Sequence, residues 1–352
     1  MRKFLICAFM ALSACLPRDE KIIKKRFAEV SFFLERKGER MPVYMLGNPS
    51  SKKILLVLHG GPGGNMNDYE HLKPLSVEFL LVGWEQRGND FTKGNKPADI
   101  KLEDYADDLD FLIKEVKSRN EGKIFIYAGS FGAHIFWQYV KKYGDAAFEA
   151  VVFSMGVTYS PYETMLRNIA RIRKEAGLRQ KHLTPQHTPH WENLKNSIDS
   201  VQTAKIRSGD FFEFEAANQL CATAEKLLVS LYLEPRSISH NFVQSRYTTS
   251  YAVAKRKAEL FRLNAEFWRR SDSTFWFLTP QWLLTDLKST LNKCGKKMLF
   301  IHGENDIRIS IEALENHIEN LQPTPTLRVF PEHGHTITHI ETETLRIFLR
   351  EN

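Results

Sequence analysis

The sequence predicts an α/β fold: a mostly parallel central sheet with helices on both faces, interrupted late in the chain by a helical insertion. Short continuous apolar runs such as ILLVL and IFIY alternate with amphipathic helical patterns. Strands that are apolar on both faces belong to buried parallel sheets. From about residue 157 those runs stop, and aromatic-rich helical periodicity continues to about residue 296. The strand–helix alternation then resumes, so one sheet is interrupted; two domains are not joined in series. With 352 residues, 43% hydrophobic and 26% charged, the chain is long and apolar enough for such a core.

The elements follow in order. RFAEVSFFLERKGERMPVYMLG holds two β-rich runs around Lys37-Gly38-Glu39-Arg40, a predicted hairpin. KKILLVLHGGPGG reads as a buried strand ending in a glycine-rich loop, and EFLLVGWEQRG as a second strand and loop. Leu102, Tyr105, Ala106, Leu109, Leu112, Ile113 and Val116 recur at helical spacing. KIFIYAG is the third buried strand, Ser130 to Tyr143 the helix after it, and FEAVVFSMG the fourth strand. After the insertion come the strand KKMLFIHG, a helix from about Ser310 to Asn320, the strand TLRVF and a last helix. The expected division is a core over 26–156, a helical cap over 157–296 and the rest of the core over 297–352. An insertion on the carboxyl side of the strands lies over the place where such sheets bind ligands.

The N-terminus reads as a targeting segment. Met1-Arg2-Lys3 is a positive start, Phe4 to Leu12 a short apolar run, and LSAC follows. The run is too short for a permanent span, which predicts a cleaved signal over 1–14. LSAC resembles the bacterial lipobox, whose cysteine is acylated; here that is Cys15, followed by a charged tether to residue 25. Leu16 after the cysteine resembles outer-membrane sorting. The expectation is an envelope protein held to the membrane by its lipid. An ordinary signal cut near Ala14 is the alternative. Cys7 leaves with the signal. Cys221 and Cys294 can pair in an oxidising compartment or remain two buried thiols, since spacing does not decide.

The formal charge is +7, with 49 Lys and Arg against 42 Asp and Glu. Residues 157–296 alone hold 21 basic and 13 acidic residues, so the excess lies in the insertion. No basic arm or nucleic-acid signature is present, and a cationic surface facing anionic lipid or substrate is the simpler reading. No cysteine or histidine spacing fits a metal, and no nucleotide or flavin signature appears, so no cofactor is expected.

IYAGSFGAHIF places Ser130 at the junction of a strand and a helix, flanked by Ala128, Gly129, Gly132 and Ala133. A serine needs such a tight turn to reach a base in a cleft, and small flanks let strand and helix pass closely. Taken alone, the motif is also explained by close packing. Upstream, His59-Gly60-Gly61-Pro62-Gly63 ends a strand, where the Gly61 N–H can meet a developing oxyanion; the Phe131 N–H is the second donor. Asp306 follows one late strand and His335 the next, giving the order Ser130, Asp306, His335 of the α/β-hydrolase triad. Glu304 is an alternative acid. His333 reads as structural, and His59 as shaping the oxyanion loop.

HGGPG, the WEQRG stretch (Trp84 to Gly88), the elbow and the Asp/His pair together resemble the proline iminopeptidase branch of the α/β-hydrolases. The resemblance covers residues 25–156 and 296–350, with Glu85 where that branch carries aspartate. It implies a serine peptidase that removes N-terminal residues through an acyl-enzyme, with cap glutamates holding the substrate's ammonium. The branch's W-x-x-W-E and E-N-H-Y-F-like segments are missing. Glu192 in HWENL, and Glu213 and Glu215 in FFEFEAANQ, are the nearest candidates, and an ordinary helix face explains them equally. A carboxylesterase or amidase acting on an acyl ester is the alternative. A non-catalytic binding lipoprotein is the reading of another class, which retention of every triad and oxyanion element opposes.

Overall fold

The computed structural model describes residues 26–156, 161–179, 188–232, 250–253, 255–256, 269–319, 321–331, 333–335 and 341–352. The expected signal, Cys15 and the tether lie outside the described residues.

Eight strands form one sheet: β1 (Phe32–Arg36), β2 (Glu39–Leu46), β3 (Lys53–Leu58), β4 (Leu80–Trp84), β5 (Lys123–Gly129), β6 (Ala150–Ser154), β7 (Lys297–Gly303) and β8 (Thr326–Phe330). Their order is β1-β2-β4-β3-β5-β6-β7-β8. The first two pairings are antiparallel and the remaining five parallel. Lys37 and Gly38, both at positive φ, make the two-residue turn between β1 and β2, the geometry that matches strand twist.

The apolar runs are continuous because both faces are covered. In β3, Ile54, Leu56 and Leu58 join one buried cluster, while Leu55 and Val57 join another. Helices α1 (Glu103–Lys117) and α2 (Phe131–Tyr143) close the first face through Leu109, Leu112, Phe136 and Trp137. The 3-10 segment Met66–Val77 and the last helix, α9 (Glu341–Glu351), close the second through Met66, Leu72, Leu345 and Leu349. Helix α8 (Ile311–Ile318) starts at Ser310, whose side chain caps the Ala313 N–H at 3.3 Å.

Between β6 and β7 lie α3 (Pro161–Arg179), α4 (Thr188–Asp199), α5 (Thr203–Arg207), α6 (Phe211–Tyr232) and α7 (Arg270–Leu283). Among the described residues no strand occurs there. These helices bury their own core, including Ile169, Ile172, Trp191, Leu194 and Leu220, and Ile307 from the loop after β7 joins it. Helix α7 instead belongs partly to the sheet: Leu278 sits in the first-face core, and Arg270 pairs with the buried Glu39. Cys221 lies in the inserted core and Cys294 in the sheet core. The two do not bridge; both are free, buried thiols. Burial pushes the Cys221 thiol well up and the Cys294 thiol to about 11.

Candidate active site

Ser130 ends β5 and opens α2 with φ 47° and ψ −115°. That φ is unusual for a residue with a Cβ and marks stored backbone strain. The small flanks explain how the turn closes. A Cβ at Gly132 would lie 2.2 Å from the Leu58 carbonyl oxygen, and one at Gly129 would lie 2.3 Å from the Tyr69 hydroxyl. Ala128 fits in the sheet interior, between Leu58 and Phe153. The Ser130 N–H donates to the Ser154 carbonyl at 2.9 Å, tying the turn to the neighbouring strand.

His335 arrives from the loop after β8, with Nε2 3.1 Å from Ser130 Oγ. Its Nδ1 donates to Asp306 Oδ2 at 2.8 Å. Asp306 is wholly buried, and its Oδ1 accepts the N–H groups of Arg308 and Ile309 at 2.8 and 3.0 Å. Burial alone would raise the Asp306 pKa, yet His335, His302 and the Ile309 N–H hold it below the usual carboxylate value. Glu304 points to solvent instead. His333 turns away, donating from Nδ1 to the Pro331 carbonyl at 2.7 Å. The three side chains Ser130, His335 and Asp306 thus form one hydrogen-bonded line. The imidazole can take a proton from the hydroxyl while the carboxylate fixes its tautomer and stabilises its charge.

The HGGPG loop is held from three sides. His59 is buried, donates to the Gly60 carbonyl at 2.7 Å and accepts the Gln86 N–H at 3.0 Å. Burial depresses its pKa to about 4, so it is neutral and structural at pH 7. Tyr69 accepts the Gly60 N–H at 2.7 Å. Gly63 has φ +80°, and a Cβ there would lie 2.3 Å from the Ser271 carbonyl at the start of α7. Only glycine meets both demands. Gly61 lines the same cavity as Ser130, and Phe131, first residue of α2, carries one of the helix's unbonded N–H groups.

The WEQRG stretch braces this loop. Glu85 accepts from Tyr44 at 3.1 Å and from Asn89, and reaches the Met66 N–H at 3.4 Å. Arg87 forks onto Asp108 of α1 at 2.6 and 2.7 Å.

A cavity of about 690 Å³ opens on Ser130 and His335, in the size range of small-molecule sites. Arg269, Ser271, Asp272 and Phe275, at the start of α7, form one wall. The lining also holds Glu341, whose Oε1 accepts from Tyr127 at 2.6 Å and meets His71 Nε2 at 2.6 Å, while Oε2 accepts from Ser154 at 2.8 Å. None of the three glutamates singled out in the sequence lines it. Glu192 is exposed on α4. Glu213 is buried against the Gln202 N–H, Tyr251 and Lys255. Glu215 bonds Asn218 and Gln219 of its own helix. The residues that sequence reading missed are Tyr69, Glu341 and Glu225, a carboxylate of α6 that receives the His335 N–H. No local motif marks them, because their contacts are tertiary. Among the described residues no cluster fits a metal ion.

Residues 53–341 match the family described as alpha/beta hydrolase fold. Over 297 residues the chain is 21% identical to a proline iminopeptidase of Xanthomonas citri, covering 82% of this chain and 85% of that one. A proline iminopeptidase of Pestalotiopsis fici, PfmaB, is 29% identical over 115 residues, 32% of this chain and 40% of its own length. Among solved structures, VinJ superposes with a TM-score of 0.60 at 15% identity, covering 92% of this chain and 99% of that one. The esterase RhEst1 of a Rhodococcus species gives 0.54 at 12% identity, with the same coverage. At such identities these structures establish the shared fold alone.

Proposed function

Since the chain belongs to the α/β-hydrolase fold family, we propose that it is a serine hydrolase acting through an acyl-enzyme on small peptide or acyl-ester substrates. The observation that carries this is the line from Ser130 Oγ to His335 Nε2 to Asp306, at 3.1 and 2.8 Å. Ser130 Oγ attacks the scissile carbonyl carbon as His335 Nε2 takes its proton. The carbonyl oxygen, now anionic, is met by the Gly61 and Phe131 N–H groups. The imidazolium gives its proton to the leaving amine or alcohol, and the acyl group remains on Ser130. Water, activated by the same imidazole, then releases the acid.

The likeness to proline iminopeptidases supports removal of N-terminal residues as one form of this chemistry. The cavity favours broader ester and amide hydrolysis, because Glu192, Glu213 and Glu215 stand outside its lining. Three of its carboxylates are engaged: Asp90 by the Ser271 N–H at 3.1 Å, Asp272 by Arg269 at 3.0 Å, and Glu341 by Tyr127, His71 and Ser154. Asp68, whose pKa is raised by burial, also faces the cavity.

Covalent labelling by a fluorophosphonate tests the nucleophile. The parent is expected to label and Ser130→Ala not to, with its melting curve retained; a labelled alanine variant moves the nucleophile elsewhere. On an aminoacyl substrate, N-acetylation is expected to lower kcat/KM less than about tenfold, about 1.4 kcal/mol. A loss of about a hundredfold restores a dedicated aminopeptidase, with Asp68 as the first partner to examine.

The targeting segment adds a location to the proposal: the bacterial cell envelope, with Cys15 acylated and the enzyme anchored to the membrane by that lipid. Its support is the sequence of residues 1–16 alone.

A further inference from the structure

We propose that Glu225, on the inserted helix α6, is a positioning residue for the reaction: it holds the catalytic histidine's backbone and places a carboxylate beside the charge that His335 acquires. The inference rests on the serine-hydrolase reading, and goes beyond it by giving the insertion a part in catalysis as well as in lining the cavity.

Three contacts converge on this side chain. Oε1 accepts the His335 N–H at 2.9 Å. Oε2 lies 3.5 Å from Arg308 Nε and is buried without a hydrogen bond. The chain is pressed against the carboxylate just before His335, since a Cβ on Gly334 would lie 2.7 Å from Oε1. Arg308 in turn belongs to the loop whose N–H groups hold Asp306. A single side chain of the insertion therefore touches both loops that carry the base and its acid.

The electrostatic surroundings are mixed. Burial first, and then Asp306, raise the Glu225 pKa, while Arg308 and His335 favour its carboxylate. Cys221, one turn earlier on α6, adds a neutral thiol held protonated by burial. Glu215, also on α6, faces Arg308, and His302 stands behind Asp306 at 3.8 Å. When His335 takes the Ser130 proton, its new charge is stabilised by Asp306 directly and by Glu225 across the backbone. Opposite charges nearby favour the protonated imidazole. The hydrogen bond to the main chain also fixes where the ring begins, and a misplacement of an ångström in a catalytic group is enough to lower the rate strongly.

A helix-to-loop bond of purely structural value would alter stability and leave the ionisation of the histidine alone. The test is the pH dependence of the second-order rate of fluorophosphonate labelling, measured on the full chain. It compares the parent, Glu225→Gln and Glu225→Leu, with melting curves for each. The glutamine keeps an acceptor for the His335 N–H and removes the charge. Its rate on the pH plateau is expected to stay within about threefold of the parent. Its acid limb is expected to move down by about half a pH unit, because the imidazolium has lost a favourable charge. The leucine loses acceptor and charge together and is expected to label at least about tenfold more slowly on the plateau. If the leucine variant does not fold, the glutamine arm decides. A glutamine acid limb that coincides with the parent's overturns the proposal, as does a folded leucine variant that labels at the parent's rate. A parent that does not label overturns the hydrolase reading and this inference together, so the two failures are told apart.

Discussion

Asp306 and Glu304 lie two residues apart after the same strand, and only one of them reaches the histidine. Asp306 is buried with both oxygens engaged, whereas Glu304 is exposed. Asp306→Asn is therefore expected to lower kcat by about 10⁴-fold, the scale set by the best-studied triad, through the wrong imidazole tautomer and an unsupported charge. Glu304→Gln should stay within about threefold of the parent, as for surface changes away from a site. Steady-state kinetics on any ester the parent cleaves separates them, and a reversed pair of effects assigns the acid to Glu304. The positions of Ser130 and Asp306 were legible because they follow the buried apolar strands β5 and β7, and that of His335 because it follows TLRVF, a largely exposed edge strand of the same parallel sheet. Strand ends in such a sheet are where chemistry collects. Tyr69, Glu225 and Glu341 were not. Glu225 meets His335 across 110 residues and Tyr127 meets Glu341 across 214, and no periodicity records such pairings.

At the scale of elements, the loop after β4 hangs on a buried acid. Burial raises the Glu85 pKa to about 7, against the hydrogen bonds from Asn89 and Tyr44 that favour its anion. The folded state thus retains a proton that the unfolded chain releases near its ordinary value of about 4.5. Stability contributed by this group is present below that value and falls as pH rises towards about 7, by about 3 kcal/mol over the interval. Denaturant melts of the parent and of Glu85→Gln at pH 5 and pH 8 check this. The variant should gain on the parent between the two pH values, and a constant difference would show that Glu85 is ionised throughout. Strands were the most legible elements, since runs such as ILLVL can bury both faces only inside a covered sheet. The 3-10 segment Met66–Val77 was missed: it carries Pro74 and a non-helical Tyr69 inside it, so no single period runs through its apolar residues.

For the whole molecule, the described residues begin at 26, and the segment before them bears on where the enzyme works. An alkyne fatty acid fed to cells is expected to tag the parent chain and not Cys15→Ser, which should leave the membrane fraction. A serine variant that stays membrane-bound through detergent-free washes would refute the lipid as anchor. The interrupted sheet was legible in outline, because the apolar runs stop and resume. The attachment of α7 to the sheet through Arg270 and Leu278 was not, since its sequence is as aromatic and helical as the helices before it.

The pairing of β6 with β7, registered from Ala150 opposite Lys297 to Ser154 opposite Ile301, has a consequence for synthesis. The ribosome delivers Ser130 well before Asp306 and His335, with the insertion between them. Bringing β7 beside β6 closes that long loop late, at an entropic cost that grows only slowly with its length. A nascent chain therefore carries the Ser130 hydroxyl without His335 and, on the proposed serine-hydrolase reading, is inert towards the acyl groups it meets. On the same reading, reactivity towards a phosphonate probe is expected to mark completed folding, and its loss on heating to track the unfolding of the β6–β7 seam.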